Sequence, residues 1–132
     1  MPTVQQLRGL AQARLRDAEI LFDNGRYDGA VYLGGYAIEL LLKARICVRN
    51  RWKQFPERSA EFDSTNERYR THDLSVLLRG SGRENRIRAR CLPEWYLVSR
   101  WNPEQRYDPS SHVSRREANE ALSAIKTLKG QL

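Results

Sequence analysis

From Tyr27 to Arg51 the side chains sort into faces at about 100° per residue, the period of an α-helix. Leu33, Ala37, Leu40, Leu41, Ala44, Cys47 and Val48 form one broad apolar stripe, and Val31, Ile38, Leu42 and Ile46 form another patch. Tyr32, Tyr36, Glu39 and Lys43 share a narrow arc beside the stripe, at spacings of four, three and four. A helix that is apolar on more than one side lies at the centre of its bundle or meets a second subunit. Gly34 and Gly35 would let another backbone approach closely there. A homodimer is therefore one expectation from this segment. A membrane span is not: the longest apolar stretch, Val31 to Val48, is interrupted by Glu39 and Lys43, which are costly in hydrocarbon.

The flanking sequence supplies further helices. Thr3 followed by Gln6 is a capping-box signature, and Val4, Leu7, Ala11, Leu15, Ala18 and Phe22 recur behind it at helical spacing. Asn24-Gly25 stops that helix. Asn50 to Arg70 is polar, carries Pro56 and shows no sustained period, so it reads as a long connection. Thr71 is expected to cap a short helix holding Leu74, Leu77 and Leu78, ended by Gly80 and Gly82. Ile87, Cys91, Trp95 and Val98 continue a helical pattern in which Pro93 must make a kink or a fresh start. Ser114 with Glu117 is a second capping box, followed by Ala118, Ala121, Leu122, Ile125, Leu128 and Leu132. The expectation is an all-α domain over residues 1–132, a bundle of about five helices.

The chain has 132 residues, enough for one core, and a formal charge of +7. Nineteen of its 23 basic residues are Arg, whose planar fork suits phosphate and base recognition. The span from Arg79 to Arg116 holds nine Arg against Glu84, Glu94, Glu104 and Asp108, so a polyanion partner is as good a reading as a solvated, solubilising face. Cys47 and Cys91 lie in helical patterns without a second ligand nearby, which argues against disulfides and zinc and for a reducing, cytoplasmic setting. No signal segment is visible near the start. There is no Gly-rich loop ending in Gly-Lys-Ser/Thr, no His-Glu-x-x-His and no Gly-x-Ser-x-Gly, and no cofactor is implied.

Acid–base chemistry has only two imidazoles to draw on, His72 and His112. His72 falls at a helix start, where an imidazole can tie down the turn. His112 ends the loop Arg106-Tyr107-Asp108-Pro109-Ser110-Ser111-His112, just before the Ser114 cap. Arg115 and Arg116 occupy the first turn of the last helix, where cations are disfavoured and the free amide groups favour an anion. A bound phosphate would resolve that conflict. The alternative is an exposed His beside solvated arginines. The arc of Tyr32, Tyr36, Glu39 and Lys43 is open in the same way, either to a binding face or to a buried Tyr pair with a Glu39–Lys43 helix ion pair.

Gly25-Arg26-Tyr27-Asp28-Gly29-Ala30, running on through Tyr36-Ala37-Ile38-Glu39 to Leu42-Lys43-Ala44, resembles the signature helix of the HEPN family (higher eukaryotes and prokaryotes nucleotide-binding domains). Thr71-His72-Asp73-Leu74 and Trp101-Asn102-Pro103-Glu104-Gln105-Arg106-Tyr107 resemble its other recurrent blocks, in the same order. The resemblance implies an up-and-down helical bundle that often dimerises. In many members it also implies a metal-independent endoribonuclease of toxin or antiviral type, with an Arg, four to six residues and a His as the active motif; Arg106 and His112 match. The residue after the Arg is Tyr107, where such members carry a small polar side chain or His. The resemblance thus implies Arg106 and His112 as catalytic residues. Tyr32, Tyr36, Glu39, Lys43, Tyr107, Arg115 and Arg116 are the candidate nucleotide- or RNA-binding residues. The other implied reading is a noncatalytic nucleotide- or protein-binding module paired with a small nucleotidyltransferase, as an antitoxin partner.

Overall fold

The computed structural model describes residues 2–56, 67–104 and 112–132. Six helices follow in order: α1 (Val4–Asp23), α2 (Tyr27–Asn50), α3 (Leu74–Ser81), α4 (Glu84–Arg90), α5 (Leu92–Val98) and α6 (Arg115–Lys129), with a short 3₁₀ turn at Glu67–Tyr69. Among the described residues there is no strand, only an isolated bridge between Thr3 and Gln54. The architecture is an all-α helical bundle, with six helices where about five were expected.

The extra helix comes from Pro93. It lacks an amide hydrogen and its ring would collide with the carbonyl four residues back, so the proline sits in the first turn of a new helix. Cys91 breaks the run between α4 and α5 with φ −149° and ψ 44°. A second expectation fails nearby. The cap of α3 is Asp73, whose side chain accepts from the amides of Ser75 and Val76, while Thr71 Oγ1 accepts from the Asp73 amide one step earlier. The capping boxes of α1 and α6 form as read, Thr3 with Gln6 and Ser114 with Glu117.

Helices α1 and α2 pack along their length as an antiparallel pair, and α2 also meets α3 and α6. Leu7, Ala11, Leu15 and Ala18 bury one side of α1, and Leu122, Ile125 and Leu128 bury one side of α6. The patch of Ile38, Leu42 and Ile46 is fully buried inside the same chain. The burial of these three reflects the central position of α2, whereas Val31, the fourth member of that patch, is half-buried. A Cβ on Gly34 would come 2.6 Å from Ile125 Cδ1, and one on Gly35 would come 2.1 Å from Trp101 Cδ1. The two glycines therefore admit α6 and an indole. Trp101 Nε1 donates to the Tyr32 carbonyl at 3.0 Å, which locks the indole against α2.

The connection after α2 is less polar in effect than in composition. Phe55 and Tyr69 are buried, Trp52 packs edge-on to both, and the Phe55 amide donates to the Pro2 carbonyl. Arg49 of α2 donates to the carbonyls of Arg79 and Gly80, placing a cation at the C-terminal end of α3. No helix among the described residues is long and apolar enough to cross a membrane.

Candidate functional site

Two places gather chemistry, one around His112 and one around Glu39. His112 is exposed and lines two adjoining hollows. One, of about 330 Å³, is walled by Val31 and Gly35 of α2, Leu97 of α5, Trp101, and Glu117 and Ala121 of α6. That volume is at the small end of ligand-sized cavities. The other runs along the α1–α2 turn from Gly25 to Gly29. The backbone next to His112 is pinned there: the Val113 amide donates to Asp28 Oδ1 at 2.9 Å. Asp28, in the first turn of α2, thus ties the start of the chain's last helix to the α1–α2 turn. Nothing in the sequence pairs residues 28 and 113, so this role was not readable beforehand. Arg100 lines the same cavity as His112 and was likewise missed.

The basic residues at the start of α6 have partners within the chain. Arg115 lies over the Phe22 ring at 5.9 Å, and Arg116 Nε is 3.2 Å from Glu120 Oε1. These contacts offset the unfavourable position of two cations in a first helical turn. Arg106 and Tyr107 lie outside the described residues.

At the second place, α2 delivers Tyr36, Glu39 and Lys43 to one wall of a cavity of about 490 Å³, completed by Leu7, Phe55 and His72 among others. Among the described residues Glu39 is the buried charge, its side chain 2% exposed. Both carboxylate oxygens are engaged. Lys43 Nζ donates to Oε2 at 3.0 Å, one helical turn on, and Lys43 also sits over the Phe55 ring at 5.2 Å. His72 Nδ1 lies 2.7 Å from Oε1. Satisfying both oxygens in this way is what makes a buried carboxylate tolerable. Tyr36 stands beside the pair, its hydroxyl pKa raised by burial, with the charge of Glu39 and then Tyr32 adding to the effect and Arg14 opposing it.

The arc read along α2 is therefore divided. Glu39 and Lys43 form the ion pair that their spacing allows, and Tyr36 shares their cavity. Tyr32 turns toward Trp101, with ring centroids 6.1 Å apart. His72 joins this cluster from 33 residues away, holding the start of α3 to α2 and not merely its own turn. Its only forewarning was its place in the Thr71-His72-Asp73-Leu74 block. Among the described residues no three His, Cys, Asp or Glu side chains gather so as to hold a metal ion.

The described residues thus form an all-α bundle centred on one long helix, with the backbone beside His112 pinned to the turn that opens that helix. Residues 4–54, which hold α1, α2 and the segment that bridges back to Thr3, match the family model described as HEPN domain. No curated protein and no solved structure matches the chain.

Proposed function

We propose that this chain is an RNA-binding HEPN domain that cuts RNA without a metal, in a toxin or antiviral role. His112 transfers a proton and Arg106, six residues earlier in sequence, holds charge on the phosphate. The 2′-oxygen attacks the adjacent phosphorus, its proton leaves to a base, and the bond to the 5′-oxygen breaks as that oxygen takes a proton. The products are a 2′,3′-cyclic phosphate and a 5′-hydroxyl. The observation that supports this reading is the placement of His112, exposed at a cavity mouth while the neighbouring amide of Val113 is anchored on Asp28. Solvent access with a fixed backbone is what a proton-transfer group requires.

A homodimer belongs to the same proposal, because one imidazole cannot conveniently serve as base and acid in one turnover, and two-fold pairing supplies a second. Exposed Tyr96 and Leu97 on α5, the latter lining the His112 cavity, offer the apolar surface for it. The second reading is a noncatalytic module that docks a nucleotide or a partner such as a small nucleotidyltransferase. It is favoured by the cavity that Tyr36, Glu39 and Lys43 wall.

The test is cleavage of RNA with chelator present. Wild type should cut, and His112→Ala should lose about 10²-fold or more of the rate. That variant should keep wild-type helix content and a dimer's sedimentation coefficient, since an exposed side chain outside the core costs within about 0.5 kcal/mol. Wild type that cuts nothing, or a variant that cuts equally well, makes the noncatalytic module the better account.

A further inference from the structure

The last helix joins two places that lie far apart on α2. At its start the Val113 amide, next to His112, is held by Asp28 in the first turn of α2. Past its end, the Leu132 carbonyl accepts from Nε of Arg45 in the last third of α2. Along that one continuous helix the step from Asp28 to Arg45 is about 25 Å, at roughly 1.5 Å per residue. Helix α6 therefore runs beside α2 from the His112 end to Arg45.

Arginines gather around that far end. Arg90 Nη1 of α4 lies 3.4 Å from Gln131 Oε1, next to the residue that holds Arg45. Arg49, one turn on from Arg45, donates to the carbonyls of Arg79 and Gly80 where α3 closes, and Arg83 and Arg86 follow where α4 opens. Arg83, Arg86 and Arg90 share one side of α4 by their spacing of three and four. The other side carries Arg88, paired with Glu84 at 3.1 Å. Among the described residues no Asp or Glu pairs with Arg45, Arg49, Arg83, Arg86 or Arg90. The acceptors that hold Arg49 and Arg90 are backbone carbonyl and side-chain amide oxygens, which fix a guanidinium without cancelling its charge. Like charges held together in this way repel one another, and a row of phosphates offsets the repulsion.

We infer that the arginine surface at the far end of α6 docks the phosphate backbone of RNA, and that the preferred substrate is an RNA long enough to reach from these arginines to His112. The gap of about 25 Å corresponds to about seven phosphates at the roughly 3.4 Å spacing of a stacked strand. Arginine forks grip phosphate oxygens in pairs, which favours a phosphate chain over an acidic polypeptide. The inference rests on the ribonuclease reading for what happens at His112. It adds no group to the chemistry there and leaves two-fold pairing of the chain intact.

The experiment uses the full chain with Arg86→Glu and Arg88→Glu, which change the net charge equally on different sides of α4, and the double variant Arg83→Glu with Arg86→Glu. Binding is read by fluorescence anisotropy on a 2′-O-methyl RNA of about 20 nucleotides, which has no 2′-hydroxyl to attack the phosphorus. Arg86→Glu should weaken it about fivefold and the double variant about tenfold or more, while Arg88→Glu changes it by less than about twofold. Cleavage is read with chelator present on a trinucleotide and on an RNA of about 20 nucleotides. In wild type kcat/KM per bond should favour the longer RNA by about tenfold, and in the double variant that ratio should fall toward one through KM. Equal weakening by Arg86→Glu and Arg88→Glu, or full affinity in the double variant, overturns the inference while cleavage by wild type leaves the ribonuclease reading standing. Wild type that binds the 2′-O-methyl RNA through these arginines yet cuts nothing supports the docking surface and removes the ribonuclease reading. Tighter capture of polyglutamate than of RNA of equal charge overturns RNA as the occupant.

Discussion

Cys47 and Cys91 are free and buried. Burial pushes the Cys47 thiol up to about 11, and it raises that of Cys91 with help from Glu94 and against Arg90. Both thiols should resist a disulfide reagent in the native protein and react on unfolding, as a colorimetric thiol count with and without denaturant will show. The linkage has a definite sign. The folded chain keeps a Cys47 proton that the unfolded chain releases from the ordinary value of 9.0 onward, so stability is intact below pH 9.0 and falls as pH rises toward about 11. Tyr36, also raised, acts in the same direction further up the scale. The denaturant midpoint should therefore drop steadily across that window, and a flat midpoint would contradict the burial argument. At this scale the sequence was informative only locally. The Glu39–Lys43 pair was legible because residues four apart on a helix are neighbours, whereas the Glu39–His72 bond spans 33 positions and no spacing rule reaches it.

Helix α2 shows how an element acquires its neighbours. Its glycines fall where α6 and Trp101 come closest, and a methyl group at position 35 would lie 2.1 to 2.3 Å from three indole atoms. Gly35→Ala must therefore displace the ring from the Tyr32 carbonyl that it donates to. Overpacking of this kind typically costs about 1–3 kcal/mol. We expect a loss of that order in chemical denaturation together with a shift in tryptophan emission. Unchanged emission would mean that the backbone and not the indole yields. The restart at Pro93 was legible as one of two outcomes; the choice needed to know that Ile87, Cys91, Trp95 and Val98 all reach one core only if α5 sets off afresh. The cap of α3 was misread by two residues, since Thr71 and Asp73 both carry suitable oxygens and only backbone geometry ranks them.

Across the molecule, the arginine surplus is gathered and not merely spread. Arg45 of α2 has its pKa lowered by burial first and then by the charges of Arg83, Arg8 and Arg86, so guanidinium groups from α1, α2 and α4 converge on one surface. Arg45 Nε donates to the Leu132 carbonyl, which holds its guanidinium against the end of the chain's last segment. An RNA backbone laid across it would release counterions for each phosphate neutralised. The double variant Arg83→Glu with Arg86→Glu should weaken binding of any RNA sequence and flatten the slope of log affinity against log salt by about 2. An unchanged slope would place the polyanion elsewhere.

Helical class, both capping boxes and the apolar stripes of α1 and α6 followed from the order of residues alone, because helix period and end-capping are local and need no partner to be named. The tertiary structure decided everything that depends on which faces meet. It buried Ile38, Leu42 and Ile46 within the chain, anchored Val113 on Asp28, and brought His72 onto a buried Glu39. Those contacts join residues far apart in the chain, and loop closure and packing, not local preference, select them.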